Sequence, residues 1–177
     1  MATAITKPLL VMGEHDRKGL AFELAENLVQ PGVAAVGTVA DVNPFLDSYV
    51  EVLKGLFDGE ELREIVLDER RQALQGLLLR HSGERCHYRH LRILEGIPFV
   101  EVIMAAAEGE SDLVIKVAEG DSTHPGLLGS TDLHLLRKSA VPLLLADPGA
   151  EASFNRVLAA VDFCSAHTRE LNRQIVA

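Results

Sequence analysis

Short runs in which nearly every position is apolar alternate along this chain with longer stretches in which apolar residues recur every three or four positions. Leu9, Leu10, Val11 and Met12 form the first run, and residues 33–39 are almost all small and apolar. Leu113, Val114 and Ile115 follow Asp112, and Leu143, Leu144, Leu145 and Ala146 follow Pro142. A strand covered on both faces has no solvent side and needs no polar alternation, so these runs predict buried parallel strands. Residues 85–94 predict one more strand, the most polar of the set, which suits a sheet edge. Leu20, Leu24 and Leu28 make one helical stripe and predict a helix over 18–29, ended by Pro31 and Gly32. Leu62, Ile65, Val66, Leu74, Leu77 and Leu78 predict an amphipathic helix over 61–79. Its charges, Glu69, Arg70 and Arg71 among them, read as a solvated face. Pro98 predicts a helix start, because its φ is already set for the first turn, and the helix runs over 99–108. Gly129, Ser130, Thr131 and Asp132 open the last helix, with Ser130 or Thr131 as the expected N-cap. Residues 41–59 are mixed. Asn43-Pro44 is a turn or a helix start, and Phe45, Tyr49, Val52, Leu53 and Leu56 make a helical stripe interrupted at Gly59.

The resulting order alternates strand and helix through Ala146. Consecutive parallel strands need crossover helices, and such crossovers are right-handed. The expected architecture is an α/β fold with an open, doubly wound parallel sheet. Ligands of such sheets bind in the crevice at the carboxyl ends of the strands, where the connections diverge. Beyond residue 149 the pattern starts again. Asn155 to Asp162 is a further buried-strand run ending in an acidic residue, and an amphipathic segment starts at Arg169 with Leu171 and Ile175. The expected division is one domain over 1–149 and, over 150–177, the first strand and helix of a second, truncated copy.

Composition narrows the function classes. The formal charge is −9, which argues against non-specific binding to nucleic acid or to anionic membranes. No apolar run is long enough to span a bilayer, and the first residues do not read as a signal peptide. Cys86 and Cys164 have no CxxC spacing and read as inert thiols of a cytoplasmic protein. With no Trp and two Tyr, the chain has no aromatic stacking platform.

One stretch carries more than a fold class. An Asp-Leu strand (Asp112, Leu113), a loop glycine (Gly120), a Gly-Ser helix start (Gly129, Ser130) and a Pro-led strand (Pro142) follow one another. This arrangement resembles the universal stress protein family. Thr131 to Lys138 is closest to its tandem E-type members, which carry two such domains in one polypeptide. The resemblance implies a Rossmann-like sheet of the adenine nucleotide alpha hydrolase kind, with strand order 3-2-1-4-5. It also implies pairing through the last strand, either between two chains as a homodimer or between two domains.

In ATP-binding relatives an Asp ending strand one meets adenine. Two glycines after strand four then let backbone approach ribose and phosphate, and Gly-Ser offers N–H groups and a hydroxyl to phosphate. Here the Asp position falls on Gly13 or Glu14, and the first glycine falls on Val117, whose branched side chain would crowd a ligand. Gly120 stands for the second glycine, and Gly129, Ser130 and Thr131 keep the phosphate end. Asp162 would be the better adenine partner, in the second copy. The expectation is a degenerate nucleotide site: no cofactor, or weakly bound ATP. The alternatives are slow ATP turnover on the Gly129-Ser130 loop, and an apolar or lipid-like ligand beside Met12, Val117 and the helix after Pro44. Catalysis lacks a motif, since Ser130 is not in a Gly-x-Ser-x-Gly elbow and only His124 is available as a base. No metal site is expected. His15 and His124 share a sheet end with Glu14 and Asp16, while His87 and His90, three apart on a strand, should face opposite sides.

Overall fold

Five parallel strands form one sheet in the order β3-β2-β1-β4-β5. The structure, a computed structural model, describes residues 4–13, 16, 19–43, 59–81, 83–119 and 128–155. The strands are β1 (Pro8–Met12), β2 (Ala35–Asn43), β3 (Cys86–Glu95), β4 (Leu113–Val117) and β5 (Leu143–Ala146). The helices are α1 (Leu20–Leu28), α2 (Gly59–His81), α3 (Pro98–Glu108) and α4 (Ser130–Lys138). The stripe expected between Phe45 and Leu56 and the second-copy segment from Val157 onward lie outside the described residues.

Helices cover both faces, as the all-apolar strands require. On one side Leu10, Met12, Val39, Ile115 and Val117 pack against Leu20, Phe22 and Leu24 of α1 and Leu74 of α2. On the other, Leu9, Val11, Ala40 and Val114 pack against Val102, Ala105 and Ala106 of α3 and Leu135 of α4. Adjacent strand residues thus feed different cores, the period-two rule of a strand with two buried faces. Arg70, expected in a solvated face, instead reaches inward to Asp41 on β2 at 2.6 Å. Arg63 pairs in the same way with Glu95 on β3, so α2 is tied to the sheet by charge as well as by its leucines.

The polar strand β3 lies at the edge, as its composition predicts. Its register against β2 is broken between Gly37 and Thr38: Gly37 pairs with Tyr88, but Thr38 pairs with His90. Arg89 is therefore the extra residue of a β-bulge. Gly37 makes room for it, since a Cβ there would lie 2.7 Å from the Tyr88 ring. The bulge corrects the expectation for the histidines. His87 pairs with Val36 and His90 with Thr38, two apart on β2, so both lie on the α3 side of the sheet.

Candidate functional site

β1 and β4 are neighbours whose onward connections run to opposite sides, β1 to β2 and β4 to β5. The crevice beyond their carboxyl ends is where such a sheet offers a ligand site. Two helices open toward that end, α1 after β1 and α4 after β4. A helix N-terminus carries unsatisfied N–H groups and partial positive charge, which suits phosphate.

Both N-termini already hold carboxylates from this chain. Asp16, 3 % exposed, accepts the N–H of Leu20 at 2.7 Å and that of Ala21 at 3.1 Å. At α4 the arrangement is more elaborate. Asp132 is fully buried, and its Oδ2 accepts the N–H of Glu119 at 2.7 Å and of Gly129 at 3.2 Å. Its Oδ1 accepts from Lys116 Nζ at 2.7 Å. Lys116 also pairs with Glu119 Oε1 at 3.0 Å. One ammonium thus faces two carboxylates, a local charge of −1 where a phosphate would have to sit. The Glu119 side chain lies directly on Gly129, where a Cβ would come within 2.5 Å of it. A buried charge must be paired and hydrogen-bonded to persist, and this cluster meets that condition from within.

The expected site residues separate under this geometry. Gly13 is exposed, with nothing within 4 Å of where a Cβ would be. Val117, 4 % exposed, and Met12, 5 %, belong to the core under α1, not to the wall of an open cavity. Gly129 is the N-cap of α4, a position that Ser130 and Thr131 do not take. The reason is Asp132, the third helical residue, whose carboxylate reaches back to the Gly129 N–H and replaces a hydroxyl cap. Ser130 is exposed as the first helical residue, and Thr131 is buried. Glu14, His15, Gly120, His124 and Asp162 lie outside the described residues. Sequence reasoning missed the partner of Lys116. A lysine inside an apolar strand run, followed by an Asp at the third position of the next helix, was the available signal. No cluster of three or more His, Cys, Asp or Glu is placed to hold a metal among the described residues.

No protein-family model matches the chain, and no curated protein matches it. Solved structures do. Hypothetical protein MJ0577 superposes with a TM-score of 0.66 at 16% identity, over 82% of this chain and 97% of that one. The universal stress protein UspA from Lactobacillus plantarum gives a TM-score of 0.55 at 22% identity, over 81% of this chain and 99% of that one. A universal stress protein from Archaeoglobus fulgidus gives 0.58 at 14% identity, over 81% and 98%. The chain has the universal stress protein fold. Strand order 3-2-1-4-5, implied by the motif resemblance, is the order observed. On this fold, Gly129 at the β1/β4 crevice is surrounded by Glu119, Lys116 and Asp132.

Proposed function

We propose that the protein is a non-enzymatic regulatory or stress-response domain of the universal stress protein kind. It acts by pairing with a second copy or a second such domain, and its own carboxylates have closed its nucleotide site. The observation that carries the reading is Asp132. Its two oxygens take the Lys116 ammonium and the N–H groups of Glu119 and Gly129. These are the donors a bound phosphate would need, and an anion would have to displace a buried carboxylate to reach them. Glu119 adds a second negative charge and covers Gly129. With the donors already occupied, tight ATP binding and turnover lose their basis.

Calorimetric titration of MgATP tests this in the wild type and in Glu119→Ala. The variant uncovers Gly129 and removes one carboxylate, and it leaves Lys116 paired with Asp132. The wild type should give no saturable heat at millimolar nucleotide. The variant should give weak binding, with Kd on the order of 1 mM. Wild-type binding as tight as the variant's would overturn the closure and return the site to the nucleotide-binding class.

A further inference from the structure

The opposite end of the sheet carries a cluster of cationic side chains. Beneath the amino ends of the strands lies an open groove of ≈ 630 Å³, which Lys7, Thr38, Arg89, His90, Arg92 and Ser111 line with polar groups. Val36 and Ala105 supply apolar surface to the same groove, which Leu91, its side chain packed in the core under α1, only borders. Glu108 also lines it, and beside it Glu110 holds Lys7 while Asp112 accepts the N–H groups of Thr6 and Lys7. The bulge at Arg89 creates it. Tyr88 faces α1, and regular alternation would send His90 there too. The extra residue turns His90 and Arg92 to the α3 side, in register with Thr38 and Ala40.

We propose that this groove binds a small organic anion bearing a phosphoryl group. Its position at the amino end separates it from the β1/β4 crevice. The side chains of Arg89 and His90 are exposed and make no hydrogen bond or ion pair among the described residues. Lys7 is paired with Glu110 at 2.7 Å, and Arg92 with Glu108 at 2.8 Å. Both pairs are at the surface, where an ion pair contributes little, so an incoming anion releases these cations cheaply. Two guanidinium forks, an ammonium, an imidazole and two hydroxyls then line one space, a donor set that matches phosphoryl oxygens. The apolar residues leave room for the ligand's organic body, and the volume is that of a small-molecule site. The chain's charge of −9 does not cancel this. The screening length at physiological salt is about 8 Å, so the groove's own cations decide.

Pyrophosphate serves as the probe, titrated into the full chain and followed by calorimetry and by amide ¹H–¹⁵N shifts. Saturable binding is expected, weakening as salt rises, with shifts concentrated at Arg89 to Arg92 and at Ser111. Arg89→Ala combined with His90→Ala should weaken it about tenfold or more. Both side chains are exposed, so the variant keeps the fold, which its dispersed amide spectrum verifies. No saturable binding up to about 10 mM, a double variant that binds as well as wild type, or shifts confined to Gly129 through Asp132 would each overturn the proposal. The last outcome would instead contradict the closed crevice, so the two readings fail separately.

Discussion

Tyr88 illustrates how a single side chain constrains its neighbourhood. Its ring meets Phe22 edge-on, with centroids 5.1 Å apart and planes at 84°, and lies over Gly37. Its hydroxyl is buried without a hydrogen-bond partner among the described residues. The neighbouring Cys86 sulfur is a weak partner at best. Burial pushes both the Tyr88 phenol and the Cys86 thiol above their ordinary pKa values. A buried hydroxyl left unsatisfied costs about 1–3 kcal/mol, while the ring contributes its packing regardless. Tyr88→Phe should therefore raise the thermal midpoint, by about 1 kcal/mol of added stability. A lowered midpoint would show that the hydroxyl has a partner. The raised Cys86 pKa has its own consequence. At a given pH less thiolate is present than for a free cysteine, and the residue is 0 % exposed. Iodoacetamide at pH 8 should leave Cys86 unmodified in the native protein and alkylate it in denaturant, as peptide mass spectrometry would read. Native alkylation at the rate of a free thiol would contradict the burial.

At the scale of elements, the strands were legible, but the bulge in β3 and the cap of α4 were not. An all-apolar run needs no knowledge of its neighbours to be read as a buried strand, which is why β1, β4 and β5 could be placed from pattern alone. The bulge in β3 is a property of a pair of strands. It depends on Gly37 leaving space for Tyr88, and nothing within residues 85–94 encodes it. The α4 cap was misplaced for a similar reason. Ser130 and Thr131 are good capping residues by type, but Asp132, tied to Lys116 on another element, moves the cap to Gly129. The Lys116–Asp132 pair is thus the joint between β4 and α4. Removing one partner of a buried pair strands the other charge, at a cost of about 3–5 kcal/mol, whereas replacing both with apolar residues is often neutral. Asp132→Ala should shift the urea midpoint strongly downward. The combined Lys116→Met, Asp132→Leu variant should recover much of the loss. If Asp132→Ala alone costs under about 1 kcal/mol, the pair is not the joint described here.

For the whole molecule, the two edges of the sheet differ in kind. The β3 edge carries His87, Arg89 and His90, exposed polar groups that discourage another strand from pairing there. The β5 edge is Leu143, Leu144, Leu145 and Ala146, with the three leucines half-buried. Leu143 and Leu144 pack against the two cores, and Leu145 belongs to neither. Leu133 and Leu136 on α4, 42% and 53% exposed, add apolar surface to the same chain segment as β5. Among the described residues no strand pairs with the outer side of β5, and an apolar edge of that kind invites a second strand; under the proposed function, pairing through β5 is the expected mode of self-association. The net charge opposes it, since two copies at −9 each repel one another and added salt screens that repulsion. Sedimentation velocity should therefore show a monomer–dimer equilibrium that shifts toward dimer between about 0.05 and 0.5 M salt. Leu145→Glu puts a carboxylate on that edge without opening either core. It should remain monomeric across the range and keep its native circular dichroism. A dimer that dissociates as salt rises, or one that Leu145→Glu leaves intact, would place the interface on a charged surface elsewhere, and the β5 pairing would have to be abandoned.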